Sequence, residues 1–415
     1  MSPSLRVAGL LSGTSVDGID VAVAELTTAD GELVLTPCGQ WELAYPDDLR
    51  AGLLAALPPA SCSAEELTRL DTRIGQAFAD AVTHAEQQAG TVDVVASLGQ
   101  TVFHWIDAGR ALGTLQLGQP AWIAERTGRP VISDLRVRDV AAGGHGAPLA
   151  STLDALLLRP VADRQGTPAV ALNIGGISNI TVVPPGGNGP VGPDGTDGDS
   201  GTAAGDVLAY DTGPGNALLD LAATQVTGGA ARSDVDGALA AAGTVRTDLL
   251  DRLLADPYYA APPPKSTGKE HFHSTYLAAA LGDLPPVGDT DLLATLTELT
   301  AVTIADACTR HGATTVYASG GGVHNPVLMR ALGRRLTVRT SDELGLPADA
   351  KEAYLTAVLG WLSWHGAAGN VPSATGARGP RVLGSITPGE RPLALPAPPT
   401  SPMSRLRVAN TRETR

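Results

Sequence analysis

The sequence lacks the residues that would place it in several large classes of protein. Only three cysteines occur among its 415 residues, Cys38, Cys62 and Cys308, and no two are spaced C-x-x-C. Neither a disulfide framework nor a structural zinc site has support. No apolar run reaches about 18 residues, and MSPSLRVAGLLSGTS has no extended apolar segment before its Gly-Thr-Ser turn. Membrane spanning and secretion therefore lack a signal, and the expected location is a reduced cytoplasm. Positive charge is scarce as well. Lys plus Arg number 29 against 43 Asp plus Glu, a formal net charge of −14. That sign argues against nucleic acid or an anionic membrane surface as the main partner. It leaves room for phosphate ligands held by backbone N–H groups and a metal ion. Aromatics make up 4%, so the core must be built from Ala, Leu and Val. Lysine occurs only at positions 265, 269 and 351.

What is present describes a folded protein, 43% hydrophobic and 17% charged. At about three times a typical domain length, two cores are expected. LRVAGLLSGTSVDGIDVAVAEL (5–26) reads as a hairpin around a polar turn, and SAEELTRLDTRIGQAFADAVTHAEQQ (63–88) as a helix. Ser63 and Glu66 stand at capping-box spacing. VDVVASLGQT and RPVISDLR read as strands flanking a short helix, PAWIAERTG. A second cycle follows. A helix at 151–158 leads to AVALNIGGISNITVV, a strand–glycine turn–strand that echoes the first hairpin and points to two related halves. The expected organisation is an N-terminal α/β domain over 1–135, joined by part of 371–390, and a C-terminal α/β domain over 136–370. Residues 184–206, rich in Gly, Pro and Asp, read as a flexible insertion, and 391–415 as a disordered tail.

Four glycine turns close apolar strands: SGTSVDGID (12–20), NIGGISN (173–179), DTGPGN (211–216) and SGGGVHN (319–325). Successive backbone N–H groups in such turns form anion nests, reinforced by a following helix N-terminus. None matches G-x-x-x-x-G-K-S/T, and no G-x-G-x-x-G follows the first strand, so the P-loop and dinucleotide readings fail. Asp17 is suited to hold Mg²⁺ beside phosphates or to form a plain Asx turn. Asp211 ends an apolar strand beside a nest, the position of a general base, with turn capping as the simpler role. Glu352 opens a helix, where a carboxylate is ordinarily stabilised by the helix dipole. Lys265 and Lys269, in a chain that otherwise uses Arg, suggest a compact ammonium near an anion. His271 and His273 form an H-x-H pair without further Cys or His nearby, which leaves a metal reading weak.

These motifs carry a resemblance. GLLSGTSVDGIDVAV, SLGQTVFH, DLRVRDVAAGGHGAPL, NIGGISNIT, YDTGPGNALLD, PPKSTGKEHF, SGGGVHNPVLM and PSATGARGPRVLG occur in the order of the anhydro-N-acetylmuramic acid kinase family, which the chain resembles over about residues 5–390. That family lies in the sugar kinase, heat-shock-protein and actin superfamily. The resemblance implies a two-domain actin-like ATPase (ribonuclease H-like) α/β fold with a central cleft that closes on ATP–Mg²⁺ and a 1,6-anhydro sugar. It assigns Gly13, Thr14, Ser15, Val16, Asp17, Gly18, Ile19 and Asp20 to the first phosphate motif, with Asp17 on the Mg²⁺ side. Gly213, Gly215 and Asn216 form the second, and Asp211 inherits the role of catalytic base. Gly320, Gly321 and Gly322 match the nucleotide segment. Arg136, Asp139, His145 and Gly146 match a sugar segment, with Glu352, Lys265 and Lys269 also on the substrate side. A homodimer is implied too. Two departures bear on sugar specificity: Leu98 stands where the family has His, and His145 where it has Gln. Alternatives on the same fold are a levoglucosan-type kinase and a non-catalytic nucleotide or sugar sensor.

Overall fold

The computed structural model describes residues 4–13, 15–186, 206–268 and 270–409. Thr14, Lys269 and residues 187–205, which make up most of the expected insertion, lie outside the described residues. Contacts divide the chain into two units, one from 4–160 and 344–409, the other from 161–186 and 206–343.

The first unit opens with Leu5–Ser12 (β1), Ile19–Ala29 (β2) and Glu32–Leu43 (β3), followed by Val94–Asp107 (β4), Arg110–Leu117 (β5) and Val131–Ser133 (β6). The second unit holds Ala169–Ile174 (β7), Ile177–Val183 (β8), Leu208–Pro214 (β9), Thr315–Ser319 (β10) and Thr337–Thr340 (β11). The chain then returns to the first unit with Ser385–Thr387 (β12) and Leu406–Val408 (β13). The first sheet runs β12-β6-β4-β1-β2-β3-β13, with β5 on β4, and the second β11-β10-β7-β8-β9.

Both sheets share one plan. A three-stranded antiparallel meander (β1–β2–β3, or β7–β8–β9) is extended from its first strand by two parallel strands, β4 and β6 in one unit, β10 and β11 in the other. This repeated ribonuclease H-like order is the α/β architecture that the resemblance implies, and it bears out the echo between the two glycine hairpins.

Continuous apolar strands such as VAGLL need cover on both faces. In the first unit the helix Ala64–Ala89 covers one face, with Ile74, Phe78 and Val82 in one core with Leu10, Val21 and Val95. Its capping box forms as expected, Ser63 and Glu66 exchanging hydrogen bonds at 2.8 and 3.2 Å. The helix Lys351–Trp364 covers the other face, where Tyr354, Val358 and Trp361 share a core with Val7, Ala22 and Ala96. The approach is so close that a Cβ at Gly9 would strike the Ala353 carbonyl and the Ala357 backbone. The sequence places 136–370 in a second domain, but this packing groups 136–160 and 344–370 with the first unit.

The tail needs correction as well. Proline content predicts disorder from residue 391, yet β13 pairs in parallel with β3, and Met403 and Leu406 are buried. Two apolar side chains spaced by three residues suffice to dock it. The helix Asp289–Arg310 is long and apolar enough to cross a membrane by composition, but 78% of that stretch is buried, in the core of the second unit.

Candidate active site

In the second unit three of the four glycine turns meet. β9 ends in Asp211-Thr-Gly-Pro-Gly-Asn and leads into the helix Ala217–Val226. Gly215 N–H donates to Gly176 O at 2.9 Å and Asn216 N–H to Gly175 O at 2.8 Å, and a Cβ at Gly215 would strike the Gly175 carbonyl. The backbone amides of Gly215 and Asn216 are thus engaged by the neighbouring turn. The Asn216 side chain makes no cap bond to its own helix. Gly213 packs on Tyr259. At the end of β10, Gly320 has φ +82° with the Asn173 amide oxygen 2.5 Å from a would-be Cβ, and Gly322 lies against Ile174. Gly321 has nothing within 4 Å on that side and is the open member of the three.

Asp211 is held from several sides. Thr267 N–H donates to its Oδ2 at 2.9 Å, Tyr258 O–H donates to its backbone carbonyl at 2.7 Å, and its own N–H donates to Lys265 O at 3.2 Å. Among the described residues no hydrogen bond reaches Oδ1. Burial pushes the carboxyl up to about 6, against the Thr267 bond that lowers it and with the nearby Glu270 charge adding to the rise. A desolvated carboxylate with one oxygen fixed and the other unengaged is suited to accept a proton.

Lys265 does not present a free ammonium. Its Nζ donates to the carbonyls of Tyr258 (2.8 Å) and Tyr259 (3.3 Å) and lies 4.4 Å from the Tyr258 ring centre, and burial lowers its pKa. It braces the segment that carries Thr267. Lys269 lies outside the described residues. His271 pairs with Asp256 at 2.9 Å, and His273 caps the helix Ser274–Leu281. Among the described residues no group of three or more His, Cys, Asp or Glu could hold a metal ion by itself.

In the first unit the Gly13–Asp20 turn follows β1. Gln100, wholly buried, donates from Nε2 to Gly13 O at 3.1 Å. Arg50 donates to Val16 O at 2.8 Å and pairs with Asp17 at 3.5 Å, and Val16 is buried with φ +56°. Ser15 and Asp17 are exposed, Gly18 lies against the Glu42 carboxylate, and Ile19 is buried in β2. Asp20 is pushed up to about 6, first by burial, then by Glu42, Glu352 and Asp349. The turn and Glu352, from the start of the helix Lys351–Trp364, therefore share one electrostatic environment.

The segment assigned to the sugar divides in two. Asp139 is fully buried and accepts from Gly146 N–H (2.8 Å), Asn370 Nδ2 (2.7 Å) and Thr375 Oγ1 (2.7 Å). Its oxygens pin the 143–148 loop. Gly146 is buried there, and Arg136 donates to Gly146 O at 2.7 Å. Burial holds the Arg136 guanidinium below its usual range, with Glu352 opposing. His145 is exposed, and its N–H donates to Thr375 O. Sequence reading missed Tyr258, Thr267, Gln100 and Arg50. Of these, Gln100 stood in the quoted SLGQT and Thr267 in the quoted PPKSTGKEHF, between the two lysines that were weighed.

A family model described as anhydro-N-acetylmuramic acid kinase matches residues 5–389. A protein of that name from Streptomyces avermitilis is 55% identical over 397 residues, covering 94% of this chain and 97% of the relative. One from Streptomyces coelicolor is 51% identical, covering 97% and 99%, and one from Rhodococcus erythropolis 50%, covering 94% and 96%. Over nearly its whole length, then, the chain belongs to the anhydro-N-acetylmuramic acid kinase family.

Proposed function

We propose that the chain opens the 1,6-anhydro ring of 1,6-anhydro-N-acetylmuramic acid with water and phosphorylates O6 from ATP, giving N-acetylmuramic acid 6-phosphate and ADP in peptidoglycan sugar recycling. The observation that carries this reading is the Asp211 carboxylate at the end of β9, one oxygen fixed by Thr267 and the other without a hydrogen bond among the described residues. The 1,6-bridge ties O6 to C1, so the substrate has no 6-hydroxyl to phosphorylate. Asp211 accepts a proton from water as its oxygen bonds to C1, and the C1–O6 bond breaks. O6 then bonds to the γ-phosphorus as the bond to ADP breaks.

In this reading the Gly13–Asp20 turn serves the nucleotide phosphates, and Gly320–Gly322 is a nucleotide segment. Mg²⁺ fits this donor set. Asp17 and Asp20 offer hard carboxylate oxygens, and Asp20, raised first by burial and then by the charges of Glu42, Glu352 and Asp349, would be eased by a dication beside it. Bound with the triphosphate, the ion neutralises charge on the phosphoryl oxygens. Arg136, His145 and Glu352 stand on the sugar side in this reading, Asp139 and Lys265 as braces.

ADP release with 1,6-anhydro-N-acetylmuramic acid in ¹⁸O-labelled water tests the proposal. Label is expected at C1 of a 6-phosphorylated product; ATP binding without sugar-dependent ADP release would leave only a sensor. Because Asp211 must be ionised to act, kcat/KM is expected to fall as pH drops through about 6 and to level off above it. A flat profile from pH 5 to 8 would remove Asp211 as the base.

The protein is further proposed to be cytoplasmic and a homodimer. Phe103, Trp105, Ile106, Leu112 and Leu115 expose apolar surface on one hairpin, β4–β5, which supports self-association. Light scattering should give twice the 42.2 kDa chain mass, falling toward a single chain in Trp105→Glu/Ile106→Glu.

A further inference from the structure

The hydrogen bond that fixes the Asp211 carboxylate comes from a backbone group, the N–H of Thr267, 2.9 Å from Oδ2. Its place is set by the course of the loop 265–271, described except at Lys269. At its near end the loop is tied by Asp211 N–H, which donates to Lys265 O, and by the Lys265 ammonium on the carbonyls of Tyr258 and Tyr259. At its far end His271 N–H and Phe272 N–H both donate to Gly268 O, at 3.1 and 3.2 Å. His271 therefore closes the turn that begins one residue after Thr267.

The His271 side chain ties that turn to a fixed point. Its Nε2 lies 2.9 Å from Asp256 Oδ2, and because a carboxylate only accepts, Nε2 is assigned the hydrogen. The ring stacks on Phe272 at 4.4 Å and meets the rings of Tyr258 and Tyr276 edge-on at 5.8 and 5.6 Å. The other oxygen of Asp256 accepts from Tyr258 N–H at 2.8 Å and caps the short helix Pro257–Ala260. Tyr258 in turn donates from its hydroxyl to Asp211 O. One carboxylate, Asp256, thus anchors both arms that reach Asp211, the Tyr258 hydroxyl and the loop that carries Thr267. A partly exposed pair of this kind adds little to stability; its place in the circuit gives it another use.

We propose that His271, held by Asp256, is a positioning residue for the Asp211 carboxylate, fixing the 265–271 loop so that the Thr267 N–H stays on Oδ2. The inference rests on Asp211 as the general base and adds to it the device that sets its acidity. A hydrogen bond to the ionised form favours that form. The groups that face Asp211 are Thr267 N–H, which lowers its carboxyl, Glu270, whose charge raises it, and Tyr258, whose own hydroxyl is pushed up by burial. Of the two loop contributions the Thr267 bond is the larger. Slackening the loop therefore raises Asp211, and the enzyme needs a higher pH to ionise it.

His271→Phe keeps the stacked ring and removes the donor, and with 36% of the histidine side chain exposed the swap fits. His271→Leu repeats the test without an aromatic ring, and His271→Gln returns an N–H donor near the place of Nε2. The pH profile of kcat/KM for 1,6-anhydro-N-acetylmuramic acid, from ADP release between pH 5 and 8, is measured for wild type first. A wild type without ADP release, or with a flat profile, overturns Asp211 as the base and this inference with it. With an acid limb in wild type, its midpoint is expected to rise by about one pH unit in His271→Phe and His271→Leu, lowering kcat/KM about tenfold at pH 5 and progressively less toward pH 8. His271→Gln should return the midpoint to that of wild type. A loss equal at every pH is the mark of a merely structural role and overturns the assignment of His271 while leaving the kinase reading intact. So does an unmoved profile in the folded variants, or a shift that His271→Gln shares.

Discussion

Asp211→Asn is expected to lower turnover by about 10²–10⁴-fold, the usual contribution of a general base, while ATP still binds. The amide has nearly the shape of the carboxylate, and its oxygen can keep the bond from Thr267 N–H, so the β9 turn keeps its geometry. What it loses is the ability to take a proton from water. Turnover in single-turnover kinetics, alongside ATP affinity from calorimetry, separates the chemistry from the binding. Near-normal turnover in the variant would refute the role given to Asp211. Loss of ATP binding together with turnover would instead mean that the substitution has disturbed the phosphate turns.

Asp139→Ala is expected to destabilise the first unit by on the order of 3 kcal/mol or more, because three buried donors lose their acceptor and each such loss costs about 1–3 kcal/mol. The sequence resemblance implies a sugar-side role for Asp139. Its surroundings make it a brace instead, pinning Gly146 to Asn370 and Thr375. The two roles give different results in denaturant unfolding of the ligand-free protein. A sugar ligand would leave the midpoint unchanged, whereas a brace moves it strongly. A midpoint equal to wild type would return Asp139 to the sugar side.

The strands and turns were legible because their signals are local. Apolar runs broken by glycine mark β1, β2, β7, β8, β9 and β10, and the Ser63–Glu66 spacing marks a helix start. The carboxylate at the end of β9 could be named for the same reason. What surrounds it could not. Thr267 and Tyr258 reach Asp211 from about fifty residues away in sequence, and no composition or period reports that a backbone N–H there will meet a carboxylate. The lysines illustrate the opposite error. Their rarity made Lys265 look like an anion contact, but its ammonium ends on two backbone carbonyls. The tail was misread because proline content outweighed Met403 and Leu406, two side chains whose burial depends on a strand edge far away in the sequence.

The pairing of β13 with β3 has a consequence for engineering the protein. Ala409 N–H donates to Leu35 O, Leu35 lies opposite Leu26, and Leu26 opposite Leu5. The two described ends therefore sit level on one sheet, three strand spacings or about 14 Å apart. A short peptide can bridge that gap, so a circularly permuted form, sealed at the old ends and reopened in a surface loop, is geometrically open to construction. A bulky fusion placed directly after Ala409 would instead crowd the strand that closes the edge.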